Sequence, residues 1–95
     1  MFIDFATKYS NVVADKDLGE SIYIDIKILL GQNNDLTIDL KNLDVMTSFC
    51  AKQIFGSIYL ELGPEVFFKK IKFINTSSDL KIIISESIQS AVTEN

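Results

Sequence analysis

Three short β-type runs alternate with three helical stripes, and this alternation constrains the fold more than any single motif does. Two strands of one sheet with a helix between them need a crossover connection, which is right-handed in nearly every case. Strand then helix, three times over, therefore calls for an α/β fold: a mixed sheet of about four strands with helices packed on it. Ninety-five residues fill about two packed layers around one core. No linker rich in Pro, Gly or Ser divides the chain, so one domain over residues 1–95 is expected.

The runs themselves differ in clarity. Residues 2–9 read as an opening strand, although Phe2 and Phe5 do not alternate cleanly with Ile3. Its direction relative to the other strands stays open, as does an extra strand in residues 11–14. Residues 18–30 carry two patterns at once. Ile22, Ile24, Ile26 and Ile28 alternate as in a strand, while Leu18, Ile22, Ile26, Leu29 and Leu30 form one helical stripe. Thirteen residues exceed most strands, Asp15 or Asp17 is a suitable N-cap, and Gly31 offers a stop. These features favour helix, with strand as the competitor.

Residues 36–40 form a short β-type run with Leu36, Ile38 and Leu40 on one face and Thr37 and Asp39 on the other. Thr47 or Ser48 can cap the next helix, whose apolar face is Ala51, Ile54, Phe55, Ile58 and Leu62. Gly63-Pro64 ends it, and residues 65–68 read as a connection. Ile71–Ile74 is a further strand. From Asp79 a last helix carries Leu80, Ile83, Ile84, Ser87, Ile88 and Ala91 on one stripe.

Composition removes several functions. Nine Lys and Arg against thirteen Asp and Glu leave a net charge of −4, which disfavours nucleic-acid binding. Lys69, Lys70 and Lys72 read as a solvated face. There is no histidine, the commonest general base and metal ligand. Cys50 is alone, so no internal disulfide forms; a reducing, cytoplasmic setting is expected, with the thiol buried rather than redox-active. The N-terminus lacks a basic leader, the longest apolar runs noted are three residues, and no membrane span, metal or cofactor is expected.

The segment from Leu36 to Ile54 resembles the central strand–turn–helix of STAS domains, the fold of bacterial anti-sigma-factor antagonists and of the cytoplasmic parts of sulfate transporters. Asp39 and Asp44 match the two acidic positions, and Thr47-Ser48-Phe49 occupies the turn. The chain is more closely similar to an uncharacterised STAS-like family of bacterial proteins. Gly19-Glu20, Ser48-Phe49, Gly56, Ile71 to Asn75 and the helix from Leu80 to Ile88 follow that layout, over roughly residues 18–92. The likeness implies a non-catalytic regulatory module whose partner is a histidine-kinase-like ATPase or another anti-sigma-type regulator. Asp39, Asp44, Ser48 and Phe49 would contact that partner. Ser48 or Thr47 would be the phosphoacceptor. On an ungapped match Phe49 takes the usual acceptor position, and a one-residue shift gives it to Ser48; the usual Gly after the serines is missing.

Each residue also has a plainer reading. Thr47 or Ser48 caps a helix, a contribution of ~1 kcal/mol. Asp39 and Asp44 face water or cap a turn, and each of Phe49, Phe67 and Phe68 reads first as a core residue, with an exposed partner patch as the alternative. A small enzyme lacks any base with an ordinary pKa near neutrality. A structural subunit or homodimer, joined by an edge strand or the second helix, is the remaining alternative.

Overall fold

Asp4 decides how the chain begins. In the computed structural model, which describes residues 1–94, strand β1 (Phe2–Asp4) gives way at once to a short helix, α1 (Phe5–Lys8). The Asp4 carboxylate caps it by accepting from the Thr7 N–H. The expected strand over residues 2–9 is therefore three residues long. Helical spacing brings Phe5 and Tyr9 edge to face at 5.0 Å, which explains why Phe2 and Phe5 do not follow the strand alternation.

Strand β2 (Val12–Val13) leads to helix α2 (Lys16–Gln32), capped by Asp15, whose carboxylate accepts from the Leu18 N–H at 3.0 Å. Helix prevails over strand here because Ile22, Ile26 and Leu30 are buried while Ile24 and Ile28 face solvent. Gly31 does not stop it. The helix runs on to Gln32, and the Asn33 side chain closes the end by donating to the Leu29 carbonyl at 2.9 Å.

Strand β3 (Leu36–Asp39) and strand β4 (Val45–Met46) follow, then helix α3 (Ser48–Ala51). The helix continues without a break through a π-helical segment, Lys52–Gly56, into α4 (Ser57–Leu62). Gly63, at φ 82°, turns the chain in a conformation that L side chains rarely adopt. Residues 65–68 are no simple connection: they lie in helix α5 (Pro64–Lys70), with Pro at its first position, Glu65 in the first turn and Lys69 and Lys70 in the last. That charge order complements the helix dipole. Strand β5 (Ile71–Ile74) and helix α6 (Ser78–Glu94) complete the fold.

The α/β class holds, but the sheet is not one mixed sheet of about four strands. Strands β1, β3 and β5 form a three-stranded sheet in the order β1-β3-β5, and both pairings are parallel. The strand left open at residues 11–14 is β2, yet it pairs only with β4 in a separate parallel ladder, Val12 with Val45 and Val13 with Met46. After β3 the chain turns through Asn42, which adopts φ 63°, and β4 pairs with β2 instead of joining the main sheet. The first strand is parallel, because α2 carries the chain back to the starting end before β3.

Ile3, Ile38 and Phe73 form one cross-strand row facing the core, with the first two fully covered. Phe55 is buried between Phe73, edge to face at 5.0 Å, and Phe5 at 6.3 Å. Helix α6 lies against the π-helical segment at Gly56, where a Cβ would sit 3.0 Å from the Ala91 Cβ and 3.3 Å from the Ser87 carbonyl oxygen. No helix among the described residues is long and apolar enough to cross a membrane.

Candidate functional site

The turn from β4 into α3 is fixed from three sides. The Thr47 N–H donates to the Val13 carbonyl at 3.0 Å, tying the turn to β2. The Thr47 hydroxyl oxygen caps α3 by accepting from the Cys50 N–H at 3.2 Å. The Cys50 thiol, fully buried as expected, donates to the Asp15 carbonyl at 3.5 Å and so joins the turn to the start of α2. From α6, the buried Ser87 hydroxyl donates to the Ser48 carbonyl at 3.3 Å.

This anchoring separates the two candidate hydroxyls. Thr47 is the N-cap, and its oxygen is occupied by the helix it starts. Ser48 occupies the first turn with its side chain at the surface. Phe49 beside it is 58% exposed, a large apolar ring left in water by a turn that is otherwise well held. Ser48 and Phe49, with Lys52 one turn on, face Glu86, Ser87 and Ser90 of α6 across a groove of about 280 Å³. Lys52 also pairs with Glu94 near the end of α6.

The two acids lie differently. Asp44 is exposed; its carboxylate accepts from the Asn11 amide at 3.0 Å, and its N–H donates to the Asn11 carbonyl at 2.8 Å. It thereby belongs to the β2–β4 end of the turn. Asp39, at the end of β3, is only 3% exposed. Its carboxylate accepts from the Lys41 N–H at 3.0 Å and from the Asn75 amide at 3.0 Å, with the Lys41 ammonium at 3.7 Å. The Lys41 N–H holds its carboxyl below the usual carboxylate range; burial works against this, and the Asn75 amide and Lys41 ammonium reinforce it. Of the two readings for an acid at a strand end, the turn cap is the one seen. Asp39 joins the loops leaving β3 and β5, and none of its bonds reaches the Ser48 turn.

Thus Ser48 and Phe49 come together, Thr47 and Asp44 support them from the β2–β4 side, and Asp39 stands apart. Core packing, the favoured reading for each of Phe49, Phe67 and Phe68, holds for Phe67 alone; Phe49 and Phe68 are exposed. Sequence reasoning missed Lys52, Glu86, Ser87 and Ser90 as the rest of the groove. Ser87 alone gave a signal, as a hydroxyl on the apolar stripe of the last helix. Among the described residues no group of three or more His, Cys, Asp or Glu is placed to hold a metal.

Comparison with curated proteins and with solved structures returns no match. Residues 18–81 match the family model described as STAS-like domain of unknown function (DUF4325). The matched span runs from the first turn of α2, through β3 and the Ser48 turn, to the first turn of α6. With about two-thirds of its length matched, the chain belongs to the STAS-like domain family of unknown function.

Proposed function

We propose that the chain is a non-catalytic regulatory module that docks a protein partner through Ser48, Phe49 and the groove they form with α6. The observation that carries this reading is Phe49, 58% exposed in a turn that lies within the span matched to the family. Scattered surface phenylalanines are ordinary. This one lies on a turn tied to β2, α2 and α6 by hydrogen bonds, beside a groove with Lys52 on one wall and Glu86 on the other. Aromatic rings, Phe among them, are enriched at the cores of protein interfaces, and charged groups belong to the rim. Asp44 braces the turn from Asn11, and Asp39 lies apart from this face. The partner class implied by the family likeness is a histidine-kinase-like ATPase or another anti-sigma-type regulator.

Ser48 is the phosphoacceptor in this reading, because Thr47 is engaged as the cap. A phosphate on Ser48 would lie at the start of a continuous helical run over residues 48–62 and beside Lys52. It would also face Glu86, so it would make the groove net negative and weaken docking. Tagged wild-type protein and Phe49→Ala are used as baits in native host lysate, with and without ATP, and the recovered baits are weighed intact. A kinase-like ATPase held by wild type and lost by at least tenfold with Phe49→Ala supports docking. A phosphate mapped to Ser48 supports the switch. Equal recovery of that ATPase by both baits, or none by either, overturns the proposal.

A further inference from the structure

On the flank of α6 away from Ser87 lies a second groove of about 400 Å³, between α5, β5 and α6. Its walls are apolar: Phe67, Phe68, Phe73, Ile84 and Ile88. A mostly apolar cleft of this volume with a few polar groups is the usual form of a small-molecule site. Among the described residues two of its polar groups lack partners. Thr76 Oγ1 is shielded from water and makes no hydrogen bond to any of them, which is uncommon for a buried hydroxyl. Lys81, at the rim, has no carboxylate within ion-pairing distance among the described residues.

We propose that this groove binds a small apolar carboxylate, an aryl or alkyl acid. The hydrocarbon part would displace water from the phenylalanine and isoleucine walls, where the burial energy is available. The carboxylate would stay at the rim against the Lys81 ammonium, which satisfies that charge without desolvating it fully. Phe68, 62% exposed, is the least covered ring of that wall. A cationic ligand would meet Lys81, and a neutral one would leave it unpaired; the anion is the class that this lining selects.

The test is a titration of isotope-labelled protein with 4-phenylbutyrate and with octanoate, each beside its uncharged alcohol, followed by amide shifts. The acids are expected to give saturable shifts centred on Phe68, Phe73, Thr76 and Lys81, leaving Ser48 and Phe49 still. Each alcohol should bind about two- to fivefold more weakly, the range for an exposed charge pair. Lys81→Gln should bring the acids down to the alcohols while leaving the alcohols unchanged, and this surface variant has no partner to lose. Phe68→Ala should weaken acid and alcohol alike by about tenfold. No saturable shift at millimolar ligand, shifts centred on Ser48 and Phe49, or equal binding of acid and alcohol overturns the proposal.

Discussion

A single methyl at Gly56 tests how α6 is seated on the helix that carries the candidate site. In an open helix, Gly→Ala stabilises by about 0.8–1 kcal/mol through backbone entropy. At Gly56 the new Cβ would meet the Ala91 Cβ at 3.0 Å and the Ser87 carbonyl oxygen at 3.3 Å. Carbon pairs prefer about 3.5–4.0 Å, so α6 must move outward by a few tenths of an ångström. Overpacking of this kind costs about 1–3 kcal/mol. The move also lengthens the 3.3 Å bond from Ser87 to the Ser48 carbonyl, which forfeits part of about 1 kcal/mol. Loss outweighs gain, and Gly56→Ala is expected to destabilise by about 1–2 kcal/mol, a fall in Tm of about 4–8 °C per kcal/mol. Gly31→Ala is the internal control. It lies in α2 with nothing within 4 Å of the added Cβ, and it should stabilise by up to about 1 kcal/mol. Urea unfolding of both variants reads the two signs directly. Adding Ala91→Gly to Gly56→Ala removes the tightest contact, so the double variant should lose less than the sum of the singles by at least about 0.5 kcal/mol. A stabilised Gly56→Ala, or strict additivity with Ala91→Gly, would refute the close approach of α6.

Other perturbations read other parts of the fold. Phe55→Ala empties the fully buried position between Phe5 and Phe73 and should cost about 3–5 kcal/mol, measured by urea midpoint. At Gly19 an added methyl would overlap the Gln53 carboxamide, so Gly19→Ala should turn that flexible side chain aside and break the 3.0 Å bond from Gln53 Nε2 to the Lys16 carbonyl, offsetting the helix gain of about 1 kcal/mol. In a Gln53→Ala background the same change should stabilise by up to about 1 kcal/mol, read by urea midpoint; the same effect in both backgrounds would contradict the clash. Asp39 has a lowered folded pKa, so its contribution is present in full above the ordinary carboxylate value of 3.8 and is lost as the pH falls through the lower folded value. Asp39→Asn should therefore be less stable than wild type at pH 7, with the gap narrowing as the pH falls below 3.8; a gap independent of pH would remove the charge-based account.

The parts legible in sequence are those where a single pattern dominates. Asp15 and the stripe Ile22, Ile26, Leu30 specify α2, Ile71–Ile74 is a strand as written, and α6 follows its apolar spacing. The parts that were not legible depend on contacts distant in sequence. Asp4 starts a helix that propensity alone does not demand. Gly31 is exposed in the last turn, where helix continues because Asn33 supplies the closing bond. The β2–β4 ladder has two residues per strand, too few to show alternation. Helix α5 was hidden by the Gly63-Pro64 signal, which ends one helix and starts the next.

The candidate site divides in the same way. The cap at Thr47 follows from the helix start, whereas Phe49, read first as core, is exposed because it lies off the stripe of Ala51, Ile54, Phe55 and Ile58. The burial of Asp39 was not readable, because its partner Asn75 is thirty-six residues away. Nor was the groove wall on α6. Ser87 reaches Ser48 across thirty-nine residues, and only Gly56 and Ala91 being small lets the helices come that close.

The most direct test of the docking face is a photo-crosslinkable phenylalanine analogue placed at position 49 in the native host, with position 24 on the exposed face of α2 as control. The account predicts a crosslink from position 49, absent from position 24, to an ATP-binding protein, and its loss when Ser48→Asp is added. Crosslinks from position 49 only to a second copy of this chain, or equally from both positions, would contradict it.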